Sequence, residues 1–96
     1  MNRSRAIELL RESKSTLSSR YGVTRLALFG STARGAARED SDVDVLVAFD
    51  GPATSRQYFG VQFYLEDLLG HPVDLVTEKA LRPQLRPFIE KEAVVV

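Results

Sequence analysis

The sequence contains no cysteine and no tryptophan, and it has one histidine and one methionine. Without cysteine there is no disulfide framework and no thiolate zinc site, a composition that fits a reducing compartment. Neither sign of charge is in excess: thirteen basic side chains balance thirteen acidic ones, for a formal net charge of zero. That balance excludes global steering toward nucleic acid or an anionic membrane. No apolar run approaches the roughly 18 residues of a membrane span. The polar start Met1-Asn2-Arg3-Ser4-Arg5 does not read as a signal peptide, so a cytoplasmic protein is expected. What is present is ordinary for a globular protein: 96 residues, 44% hydrophobic and 27% charged. These values bound one domain over residues 1–96 with one core.

Apolar spacing at Ile7, Leu10, Leu17 and Tyr21 predicts a helix over about Ser4 to Arg20, with Gly22 as its cap. Arg25 to Phe29 reads as a strand ended by Gly30-Ser31, and Thr32 to Arg38 as a short helix weakened by Gly35. Val43 to Phe49 is a second strand, closed by Asp50-Gly51-Pro52. A helix from about Arg56 to Leu69, stopped by Gly70, leads to a third strand, Val73 to Thr77. Pro83 and Pro87 break the next segment into short helical turns, and Ala93 to Val96 suits a last strand. This alternating order predicts an α/β (α+β) fold, a mixed sheet of about four strands with helices packed on it. On the Arg56–Leu69 helix, Tyr58, Val61, Leu65, Leu68 and Leu69 form the expected core stripe. Phe59 and Phe63 fall away from it, one turn apart: either the C-terminal segment around Pro87 and Phe88 folds over them, or they form an exposed patch able to dock a partner or a second copy.

Three features carry chemistry. Gly30-Ser31 sits directly after a strand and before a helix, where backbone amides attract anions and the hydroxyl adds a rotatable donor. An ordinary turn with Ser31 as helix cap explains the same residues more blandly. Asp42 and Asp44 flank Val43, so strand periodicity of two projects both carboxylates from one face. That face is expected to continue through Val45 and Val47 into the core. Two acids so placed repel each other unless a cation lies between them, and divalent metal binding is the simplest reason for the pair. Asp74 is the lone acid inside its strand, a position where Asp is depleted. If that strand lies beside Val43–Phe49, Asp74 reaches the same patch; otherwise it faces solvent.

Nearby motif readings fail on specific residues. Gly30 to Gly35 has the glycine spacing of a Walker A loop, but Ala36 stands where the lysine must be. Asp40, Asp42 and Asp44 imitate an EF-hand loop, but Val45 occupies the position that needs glycine. In haloacid-dehalogenase phosphatases the hydrophobic strand precedes the acids, whereas here it follows them. His71, before Pro72, reads as a solvated loop histidine.

Gly30-Ser31, ten intervening residues, Asp42-Val43-Asp44, and Asp74 on a later strand resemble the nucleotidyltransferase superfamily of the DNA polymerase β type. The string Gly30-Ser31-Thr32-Ala33-Arg34-Gly35 followed by Ser41-Asp42-Val43-Asp44 is similar to its minimal nucleotidyltransferases, which hold the catalytic domain and little else. The resemblance implies that Asp42, Asp44 and Asp74 are catalytic and ligate two Mg2+ ions. It further implies that the Gly30 amide and Ser31 bind the ATP phosphates. Arg34 reaches either a phosphate or a nearby acid. Many such proteins act as antitoxins paired with a HEPN-domain ribonuclease toxin and transfer AMP from ATP to one of its tyrosines. The neutral surface agrees with an acceptor carried by a partner protein rather than by a long nucleic acid. Transfer to a small molecule such as an aminoglycoside, and neutralisation of a partner by docking alone, are the other expectations.

Overall fold

A computed structural model describes residues 1–96. Its elements run α1 (Arg3–Tyr21), β1 (Val23–Phe29), α2 (Gly30–Ala33), β2 (Val43–Phe49), α3 (Ser55–Leu69) and β3 (Val73–Thr77). A 3-10 turn (Glu78–Ala80), α4 (Arg86–Glu92) and β4 (Val94–Val95) complete the chain. Each element predicted from sequence is present. The largest shift is in α2, expected at Thr32 to Arg38 and found four residues long. It stops early because Gly35 turns back onto the Thr32 carbonyl, while Arg3 Nε of α1 donates to the Ala33 carbonyl at 2.9 Å. Pro87 begins a helix rather than breaking one, since the first turn of α4 needs no amide from it.

The long helices are bounded by side-chain and glycine caps, of which Gly22 and Gly70 are the ones expected from sequence. Asn2 accepts from the Arg5 amide at the start of α1, and Gly22 ends it. Thr54 and Gln57 form a reciprocal capping box at the start of α3. Gln57 Nε2 also donates to the Tyr21 carbonyl at 3.0 Å, tying the start of α3 to the end of α1.

The sheet order is β3-β2-β1-β4. β1 pairs antiparallel with both β2 and β4, whereas β2 and β3 run parallel through the α3 crossover. One face carries the main core: Leu26 and Leu28, Val43, Val45 and Val47, and Val73 and Leu75 pack against Leu10 and Leu17 of α1 and Val61 and Leu65 of α3. Each fully buried leucine or valine there contributes roughly 1.5–3 kcal/mol of transfer free energy. The opposite face is thinly covered. Ala27, Leu46 and Leu81 form a small cluster there, edged by Phe29, Val76 and Ile89, and α4 buries no residue fully.

This division corrects one expectation. Asp42 and Asp44 share their face with Leu46, and Val45 and Val47 point to the other side, into the main core. The acids therefore lie on the thinly covered face, Asp42 exposed and Asp44 half-buried. The α3 stripe is as expected: Val61, Leu65 and Leu69 are buried, and Tyr58 and Leu68 pack against the core. Phe59 and Phe63 are 49% and 61% exposed and stack on each other, and Phe88 is itself 74% exposed and covers neither.

Gly60 lets α3 approach α1. A Cβ built there would lie 2.3 Å from Cε1 of Tyr21, well inside contact distance. Gly60→Ala should therefore destabilise the fold by about 1–3 kcal/mol despite its better helix propensity. Adding Tyr21→Ala should recover part of the loss. Chemical denaturation of the three variants checks this, and an unshifted midpoint for Gly60→Ala would show that the ring gives way freely.

Candidate active site

The topology gathers the singled-out residues at one edge of the sheet. Parallel pairing of β2 and β3 places Asp44 directly beside Asp74. Antiparallel pairing of β1 and β2 places Phe29 opposite Asp44, so Gly30-Ser31 follows immediately next to that carboxylate. The contact is close enough to define residue 30. A Cβ on Gly30 would meet Asp44 Oδ2 at 2.0 Å, and its φ of +70° is itself one that side chains disfavour.

The start of β3 is held from α3. Glu66 Oε2 accepts from the Val73 amide at 2.9 Å, and Gln62 Nε2 donates to the Val73 carbonyl. The Val43 amide donates to the Pro72 carbonyl at 2.9 Å, locking the two strand starts together. Asp74 thus stands on a fixed backbone.

Burial pushes the Asp44 carboxyl above its ordinary value. The charges of Asp74 and Asp42 push in the same direction, as does a side-chain hydrogen bond with Asp74, and Arg34 opposes them. The Arg34 guanidinium is shared, because its Nη1 pairs with Glu92 Oε2 at 3.0 Å. The same Glu92 accepts from the Gly30 amide through Oε1 at 3.1 Å.

Two of the expected nucleotide-binding residues have partners within the chain. The Gly30 amide, expected to bind phosphate, already donates to Glu92; the Ser31 hydroxyl makes no hydrogen bond within the chain. Arg34, expected to reach a phosphate or an acid, pairs with an acid. Glu92, Glu66 and Gln62 were not singled out from sequence. Only the sheet register could have flagged Glu92, because the pairing of β4 with β1 brings the start of α2 and the end of α4 together.

The chemistry of the donor set, though not its spacing alone, suits a divalent cation. Arg34 pairs with Glu92 and opposes the charge of Asp44, and the carboxylates of Asp42, Asp44 and Asp74 offer hard oxygens of the kind Mg2+ prefers. No three of these side chains converge closely enough to hold a metal ion by themselves. Mg2+ is ordinarily held by few carboxylates, with water and substrate phosphates supplying the rest. A cavity of about 550 Å³ lies at the opposite ends of β2 and β3, lined by Phe49, Pro52, Tyr58, Phe59 and Thr77, far from the carboxylates.

A four-stranded mixed sheet with a Gly-Ser turn set against paired strand-start carboxylates is the architecture of a nucleotidyl-transfer domain. The family model described as the nucleotidyltransferase domain matches residues 10–96, and the chain belongs to that family. It is 40% identical over 88 residues to the protein adenylyltransferase MntA of Thermococcus cleftensis, covering 92% of this chain and 89% of that one. A solved structure described provisionally as a minimal nucleotidyltransferase superposes with a TM-score of 0.82 at 42% identity, over 98% of this chain and 95% of its own. The same fold occurs in a tri-AMPylated Shewanella oneidensis HEPN toxin in complex with its MNT antitoxin, with a TM-score of 0.60 at 20% identity over 98% and 67% of the two chains. No helix of this chain is long and apolar enough to cross a membrane.

Because the folded state raises the Asp44 pKa, ionised Asp44 destabilises the apo protein at neutral pH. The penalty is present above the folded pKa and fades as pH falls toward about 4, the ordinary carboxylate range. Asp44→Asn should therefore melt at or above the wild-type temperature at pH 7 without metal, and the advantage should shrink toward pH 4. A variant clearly less stable than wild type at pH 7 would show that the repulsion does not govern this site.

Proposed function

We propose that this protein transfers AMP from ATP, in a Mg2+-dependent reaction, to a tyrosine hydroxyl of a HEPN-type toxin, and so acts as its antitoxin. One observation carries the reading: the meeting of Gly30-Ser31, Asp42, Asp44 and Asp74 at one sheet edge. The names of its similar proteins support the choice of adenylyl group and protein acceptor.

In this reading Asp42, Asp44 and Asp74 would hold two Mg2+ ions together with the triphosphate. When bound, the ions offset the phosphate charge and lower the pKa of the acceptor hydroxyl. The chain's own groups do the rest. The Ser31 hydroxyl and the free N–H groups of Arg34 orient the phosphates so that the α phosphorus faces the acceptor. Asp74 accepts the proton from the tyrosine hydroxyl as its oxygen bonds to the α phosphorus. The bond from that phosphorus to the bridging oxygen breaks, and pyrophosphate leaves with that electron pair. The adenylylated tyrosine remains on the partner.

Incubation with labelled ATP, Mg2+ and a HEPN-type toxin should label the toxin. Asp42→Asn and Asp44→Asn should each reduce labelling by at least about 100-fold, since even partners of metal ligands cost 10–100-fold when lost. Undiminished labelling by either variant would dismiss its carboxylate from the reaction.

Phe59 borders the 550 Å³ cavity and stacks on the exposed Phe63, and we assign this apolar face to the toxin. The double variant Phe59→Ala, Phe63→Ala should remain folded, bind Mg–ATP as wild type does, and lose about 10-fold or more in affinity for the toxin, as truncated interface anchors do. Unchanged toxin affinity would place the interface elsewhere.

A further inference from the structure

We propose that Glu92 is a positioning residue that aligns Arg34 for the nucleotide triphosphate. This rests on the nucleotidyl-transfer reading and names a residue which that reading does not use.

The placement follows from the sheet. β4 pairs antiparallel with β1, with Leu28 opposite Val94. Gly30, the first residue of α2, follows Leu28 by two positions, and Glu92, the last residue of α4, precedes Val94 by two, so this short ladder brings the two helix ends together. The Glu92 carboxylate thereby reaches the Gly-Ser turn from the end of α4. It then divides its two oxygens: Oε1 accepts from the Gly30 amide at 3.1 Å, and Oε2 pairs with Arg34 Nη1 at 3.0 Å. One carboxylate joins the backbone of the turn to the guanidinium.

Glu92 engages Nη1 of Arg34, leaving Nη2 and Nε without partners in the chain, on a side chain that is 55% exposed. A guanidinium carries five donors in a rigid plane, so one held at a single nitrogen still presents donors to an anion. An unheld arginine surrenders most of its rotamer freedom on binding, whereas a held one has already lost it. Arg34 also lies close enough to Asp44 to oppose its repulsion, so its aligned donors lie beside the carboxylates that would hold the metal. The opposite role is also chemically possible: a carboxylate on these donors competes with phosphate for them. The two roles move nucleotide affinity in opposite directions.

The experiment uses the full chain with Mg–ATP, comparing wild type, Glu92→Gln, Arg34→Ala and the double variant. Binding is measured by calorimetry, transfer to the toxin by KM and kcat, and folding by melting. Glutamine keeps an acceptor for the Gly30 amide and removes the charge on Arg34. Glu92→Gln should raise the Kd and KM for ATP about 10-fold, the usual cost of losing a partner that orients a binding group, and leave kcat nearly unchanged. In the Arg34→Ala background the same substitution should change nothing further, because coupled residues are not additive. Unchanged or tighter ATP binding by folded Glu92→Gln overturns the proposal, tighter binding identifying Glu92 as a competitor. An additive double variant, or a Glu92→Gln protein that does not fold, overturns it too, since Glu92 would then act apart from Arg34 or as a brace of the fold. Failure of the wild type itself to bind Mg–ATP would bring down the nucleotidyl-transfer reading, a result separable from failure of the variant alone.

Discussion

The parallel pairing of β2 with β3 is the constraint from which the rest of the site follows. Parallel strands begin at the same end of a sheet, so an acid near the start of each is set beside the other by backbone hydrogen bonds. Side-chain preference alone would drive Asp44 and Asp74 apart. The ladder holds them together against their repulsion, helped by Glu66 and Gln62 bonding both backbone groups of Val73. Antiparallel β1 then returns its end to the same edge, where only glycine fits against the Asp44 carboxylate. Repulsion at residue 44 is a local cost that the large valine and leucine core on the other face is able to carry.

Much of this was legible in the chain because it depends on local rules. Helix C-termini were marked by Gly22 and Gly70, and strands by short β-branched runs with turn residues after them, whereas the caps at Asn2 and Thr54–Gln57 emerged only from the structure. The spacing of Asp42 and Asp44 fixed their common face, and the exposure of Phe59 and Phe63 followed from the period of α3. The side of the sheet was harder. Val45 and Val47 sit one and three residues from Asp44 and so on its opposite face, and the richer core claimed them.

Pairing between distant segments was not legible. That Asp74 neighbours Asp44 needs the strand order, and that Glu92 meets Gly30 needs the register of a two-residue strand at 62 residues' separation. No local pattern distinguishes Glu92 from Glu90, which pairs with Arg86 on the same short helix. Ionic partners of this kind are set by tertiary geometry, and a sequence presents them only as ordinary surface charge.

The unequal covering of the sheet separates permanence from access. Asp44 belongs to β2, which is flanked by strands on both sides and backed by α1 and α3, so its amides should be among the last to open in native-state exchange. Glu92 belongs to a seven-residue helix with no fully buried residue, followed by a strand of two. Such a segment opens at small free-energy cost while the strands beneath it stay closed. The molecule thus resembles a fixed bench with a light cover, in which the carboxylates keep their places whether or not the segment above them is seated.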